Sequence, residues 1–135
     1  MKNVGIIVAV FVAYLAFTFF GKPSASDNVS IIEVDAKIMQ QAQAGEILLL
    51  DVRSPMEYAE GHIPGAINVP YDQIQRHQAV LAQQGERPIV VYCRSGRRAG
   101  IFINEVEKYG VTNLQYMQGD MPGWQRAGLP VATGN

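Results

Sequence analysis

The residues best suited to chemistry are Cys93-Arg94-Ser95-Gly96-Arg97-Arg98. Cys93 is the only cysteine in the chain, and three arginines fall within the five residues after it. Before it runs an apolar, β-branched stretch, Pro88-Ile89-Val90-Val91-Tyr92, which reads as a buried strand. After it, from Arg98 on, Ile101, Phe102, Val106 and Tyr109 recur at helical spacing. The thiol therefore stands where a strand ends and a helix begins. Backbone N–H groups converge at such a turn, and the helix terminus adds partial positive charge. That setting favours the thiolate, so Cys93 is expected to be a nucleophile near neutral pH. A solitary cysteine is often only a small buried hydrophobe, but inert cysteines prefer apolar neighbours, and this one is ringed by cations. Arg94 and Arg97 are expected to face an anion, with Ser95 and Gly96 completing its cradle. Arg98 either joins them or steadies the loop by pairing with a carboxylate.

The elements that position this loop alternate between strand and helix. Ile31 to Val34 reads as a short strand, and Asp35 as the cap of a helix over Ala36 to Ala44, closed by Gly45. Ile47 to Asp51 and Val52 form an apolar succession suited to a strand buried on both faces of a parallel sheet. Ser54 and Glu57 make a capping box, with Pro55 at the first helical position of a short helix ending near Gly61. Ala66 to Val69 is a further strand, Asp72 to Gln83 a helix, and Leu114 to Met117 a last strand, reached through a helix closed by Gly110. This pattern predicts an α/β fold with a central parallel β-sheet flanked by helices. Ligands of such sheets bind beyond the carboxyl ends of the strands. Cys93 lies at one such end, and Asp51 and Arg53 at another. Asp51 is expected to hold the Arg53 region or a nearby turn in place rather than to perform acid–base work. Arg53 either pairs with Glu57 or lines the pocket. His62, between Gly61 and Ile63-Pro64-Gly65, reads as a turn residue rather than a base, and Trp124 as core.

At these residues the chain resembles the single-domain rhodaneses, a family of sulfurtransferases. Cys93 to Arg98 is similar to their six-residue active-site loop. Asp51-Val52-Arg53, Glu57-Tyr58 and Gly61-His62-Ile63-Pro64-Gly65-Ala66-Ile67-Asn68-Val69-Pro70 are similar to the family's N-terminal signature. Gly119-Asp120-Met121-Pro122-Gly123-Trp124 with Gly128-Leu129-Pro130-Val131 is similar to its C-terminal signature, except that Asp120 stands where the family commonly has a second glycine. The three motifs occur in the family's order, and the resemblance runs from roughly Ile31 to Val131. The resemblance implies transfer of a sulfane sulfur through a persulfide on Cys93. A small anionic donor such as thiosulfate would supply the sulfur, and a thiol, cyanide or a protein acceptor would take it. No metal or organic cofactor follows from that scheme. One alternative is a rhodanese-like sulfur carrier or binding module without turnover, although such versions usually lose the cysteine. The other is a cysteine phosphatase. Those enzymes resemble the family in fold but need the longer Cys-x5-Arg loop, and here the sixth residue after Cys93 is Ala99.

The remaining sequence sets bounds. The chain has 135 residues and a net charge of −1, so it shows no electrostatic footprint for nucleic acid. One cysteine excludes an internal disulfide and a multi-thiolate metal site, and His62 and His77 have no ligand-like spacing. Lys2 precedes an unbroken apolar run from Val4 to Phe20, long enough to be a signal peptide or an N-terminal membrane anchor. Small residues at Ser24-Ala25-Ser26 offer a cleavage site in the polar linker that follows. The expected organisation is a targeting or anchoring segment over residues 1–26 and a rhodanese-like domain over 27–135. Export is expected, to the periplasm in a bacterium, with membrane attachment through the N-terminal segment if it is not cleaved.

Overall fold

A computed structural model of the protein describes residues 29–135. The expected targeting segment, residues 1–26, lies outside the described residues. Among those described, no helix is long and apolar enough to cross a membrane.

Five strands form one parallel sheet: β1 (Ser30–Glu33), β2 (Leu48–Asp51), β3 (Ile67–Asn68), β4 (Ile89–Tyr92) and β5 (Leu114–Gln118). Their spatial order is β1-β5-β4-β2-β3. β4 and β2 are buried at every position, as their uninterrupted apolar sequences require of strands covered on both faces. Side chains still alternate between faces. Leu48, Leu50, Val52, Ile89, Val91 and Cys93 join one core cluster, while Leu49, Val90 and Tyr92 join the other. Cys93 thus continues the face of Ile89 and Val91, beneath Ala99 and Phe102 of the following helix.

The helices are α1 (Ala36–Gln43), α2 (Pro55–Glu60), α3 (Gln78–Ala82), α4 (Arg97–Glu107) and α5 (Asp120–Arg126). Asp35 caps α1 by accepting the Lys37 N–H at 2.8 Å. The capping box of α2 forms: Ser54 Oγ accepts the Glu57 N–H, and the Glu57 carboxylate accepts the Ser54 N–H.

Two stretches differ from expectation. The helix expected over Asp72 to Gln83 divides into a 3₁₀ turn at Ile74–His77 and α3, and neither start has a side-chain cap to set a continuous α-helix. The seven residues of α5 were not expected, because Pro122 and Gly123 hide so short a helix. Pro122 fits in the first turn, where a backbone N–H has no intrahelical partner.

Because all strands are parallel, the carboxyl ends of β2, β4 and β5 lie side by side. Arg53, Cys93 and Asp120 follow those three ends.

Candidate active site

The segment from Cys93 to Arg98 closes around the sulfur. Cys93 is fully buried, and the Gly96 N–H donates to its Sγ at 3.1 Å. Gly96 adopts φ +86°, a left-handed conformation disfavoured by side chains, and a Cβ there would lie 2.7 Å from Tyr116 Oη. The turn therefore needs glycine for two reasons: its backbone angle and the tyrosine beside it. α4 starts at the next residue, so its N-terminal amides rise from the same turn.

The loop arginines do not share one role. Arg98 forms a two-pronged ion pair with Glu57, Nη1 to Oε1 at 2.6 Å and Nη2 to Oε2 at 2.9 Å. This carboxylate partner ties the Cys93 loop to the α2 cap. The Arg98 bonds, helped by those from Ser54 and opposed by partial burial, lower the Glu57 pKa to about 2. Arg94 and Arg97 are exposed and make no ion pair among the described residues. Arg94 borders a cleft of about 450 Å³ together with Arg53, Glu57, Gly61, Met121 and Gln125. Ser95 is exposed on the same loop.

Arg53 takes Asp51, not Glu57, as its partner. Its Nε lies 3.0 and 3.1 Å from the two Asp51 oxygens, and Nη2 lies 2.6 Å from Oδ2. Nη2 also donates to the Gly61 carbonyl at 2.6 Å, and the Arg53 N–H donates to Asp51 Oδ1. Both side chains are buried, so each charge depends on the other. Asn68 binds the carbonyls of Asp51 and Arg53 through Nδ2. Asp51 thus holds the Arg53 turn, and Arg53 pins the start of the His62 segment while reaching the wall of the cleft. Burial, followed by the nearby Asp51 charge, pushes the Tyr92 hydroxyl far above the ordinary tyrosine range; its oxygen accepts the Ile63 N–H. His62 stacks on Tyr58, with ring centroids 3.7 Å apart, and its Nδ1 donates to the Tyr58 carbonyl. Its backbone bonds Ala132 in both directions. Trp124 is fully buried and donates Nε1–H to the Pro130 carbonyl at 2.7 Å.

The sequence does not single out Tyr116, and it marks Asp120 only as a departure from the family's second glycine. Asp120 is 3% exposed and accepts the Cys93 N–H at 2.8 Å through Oδ1. Its Oδ2 accepts the Tyr116 hydroxyl. The available signal was position: Asp120 follows a strand at the edge where parallel sheets gather their sites. A larger hollow of about 740 Å³ lies between Tyr71, Arg76, Ile101 and Tyr109, and Cys93 does not line it.

A parallel α/β domain that encloses one cysteine in a short arginine-bearing loop, between the carboxyl ends of its central strands, defines a recognisable class. The chain belongs to the rhodanese-like domain family, whose model matches residues 34–127. It is 32% identical over 101 residues to a sulfurtransferase of Allochromatium vinosum, covering 73% of this chain and 92% of that one. It is 31% identical over 107 residues to an uncharacterized protein of Synechocystis sp., covering 78% of this chain but only 59% of that longer relative. The crystal structure of a rhodanese-related protein from Thermoplasma volcanium superposes with a TM-score of 0.61 at 23% identity, covering 76% of this chain and 97% of that one. This last likeness is one of fold.

Proposed function

We propose that the protein is a sulfurtransferase that carries sulfane sulfur on Cys93. The Cys93 thiolate attacks the outer sulfur of thiosulfate. The sulfur–sulfur bond of the donor breaks, its electron pair leaves with sulfite, and a Cys93 persulfide remains. A thiolate or cyanide then attacks the terminal sulfur, takes it as a persulfide or thiocyanate, and returns the thiolate. Neither step needs a general base or a general acid, because each nucleophile attacks as an anion and each leaving group departs as one.

The observation that carries this reading is the Gly96 N–H directed at Sγ within the closed loop. A donor aimed at the sulfur stabilises negative charge there, and the α4 terminus supports it. Arg98 is already neutralised by Glu57, which leaves Arg94 and Arg97, without an ion pair among the described residues, as the loop cations to draw in a dianion. The short loop, with Ala99 rather than an arginine at the sixth place after Cys93, favours an added sulfur atom over a phosphoryl group. Family membership and the likeness to the Allochromatium sulfurtransferase point the same way.

Incubation with thiosulfate should add one sulfur atom to the intact mass, located on Cys93, removed by cyanide and absent from Cys93→Ser. An unchanged mass with every small sulfane donor, in a folded protein, would reject the reading. We further propose that residues 1–26 direct export and that the domain works outside the cytoplasm. A C-terminal reporter that is active only in the cytoplasm should then be silent, and strong reporter signal would contradict export.

A further inference from the structure

We infer that Asp120, acting with Tyr116, is a positioning residue for the nucleophile: its buried carboxylate holds the Cys93 peptide at the start of the loop and, through the tyrosine hydroxyl, the Gly96 turn at its apex. This role deepens the sulfur-transfer reading and rests on it for its catalytic consequence.

The geometry is a clamp. An ionised carboxylate only accepts hydrogen bonds, so both its partners donate: the Cys93 N–H to Oδ1 and the Tyr116 hydroxyl to Oδ2. One residue further, the Met121 N–H donates to the Cys93 carbonyl at 3.0 Å. Both backbone polar groups of Cys93 are therefore tied to the first turn of α5. The sulfur itself is met by the Gly96 N–H. Tyr116 Oη lies 2.7 Å from where a Gly96 Cβ would be, so the tyrosine that Asp120 holds also backs the turn that contacts the sulfur.

Asp120 occupies this place at a cost. Its φ is +55°, a region unfavourable to residues with a Cβ, although aspartate tolerates it better than most. Glycine would avoid that cost. What the carboxylate adds is the pair of bonds to the loop, and those bonds fix the Cys93 Cα while the sulfur gains and loses an atom.

The test compares Asp120→Gly, Asp120→Asn and Tyr116→Phe in the full chain. Glycine suits φ +55° but removes both bonds. Asparagine keeps an acceptor for the Cys93 N–H and also tolerates this conformation. Misplacing reacting atoms by an ångström can cost roughly a hundredfold, so Asp120→Gly should lower kcat for thiosulfate by tenfold to about a hundredfold with KM little changed. Asp120→Asn should stay within about threefold of the parent, and Tyr116→Phe should fall between the two.

A second readout does not depend on sulfur transfer. Cys93 is the sole thiol, so its alkylation rates by iodoacetate and iodoacetamide report how the loop presents the sulfur to an anion. The preference for iodoacetate should drop in Asp120→Gly and persist in Asp120→Asn. Parental kcat and alkylation preference in Asp120→Gly would overturn the inference, as would an Asn variant as impaired as the Gly variant. If Asp120→Gly does not fold, parental values in Tyr116→Phe would overturn it instead. A parent protein that accepts no sulfur refutes the transfer reading, while the alkylation preference still decides the role of Asp120.

Discussion

Gly96→Ala and Gly100→Ala are the same chemical change four residues apart, and the structure assigns them opposite signs. At Gly96 the left-handed backbone costs an alanine about 1–2 kcal/mol. The new methyl would also meet Tyr116 Oη at 2.7 Å. Tyr116 cannot swing away freely, because its hydroxyl is bonded to the buried Asp120 carboxylate. Relieving such an overlap adds roughly 1–3 kcal/mol, for a total near 2–5 kcal/mol. For a domain of this size, that lowers the melting temperature by roughly 10–25 °C. Relief of the clash also moves the residue-96 N–H away from Sγ, so kcat/KM for thiosulfate should fall by about a hundredfold. Gly100 lies within α4, exposed, with nothing within 4 Å of an added Cβ. There alanine gains about 0.5–1 kcal/mol from helix propensity and leaves turnover unchanged. Thermal melts read the stabilities, and thiocyanate formation reads the activities. A Gly96→Ala protein that melts and turns over like its parent would refute the reasoning on both the angle and the tyrosine.

Glu57→Gln tests the tie between α2 and the loop. The Glu57 pKa is lowered in the fold from 4.5 to about 2, so its contribution is fully present above about pH 4.5 and is lost as pH falls towards 2. The pair is partly exposed, with side chains 22% and 29% accessible, so screening reduces its worth to about 1 kcal/mol. Urea midpoints of parent and variant should therefore differ at pH 7 and converge near pH 2; a constant gap would deny the linkage. Arg97→Glu should depress use of thiosulfate by tenfold or more, on the order of 2 kcal/mol, and use of an uncharged sulfane donor much less. Equal losses with both donors would show that Arg97 acts only on loop structure.

Much of this site is legible in the chain itself. The buried runs Leu48-Leu49-Leu50 and Ile89-Val90-Val91-Tyr92, the Asp35 cap and the Ser54–Glu57 box are local patterns, and local hydrogen bonds and burial periodicity enforce them. The strand-to-helix junction at Cys93 is local too, as is the αL demand that Gly96 meets. Partnerships across the sheet are not local. The Asp51–Arg53 pair spans only two residues, but Glu57 meets Arg98, 41 residues further along the chain, only in the fold. Asp120 lies 27 residues after Cys93, and its bond to that amide exists because β5 runs parallel to β4 and ends beside it. Sequence periodicity decides which face of an element is buried. Which charged groups meet at the ends of the strands depends on the order of the strands in the sheet, and that order is settled only when the core packs.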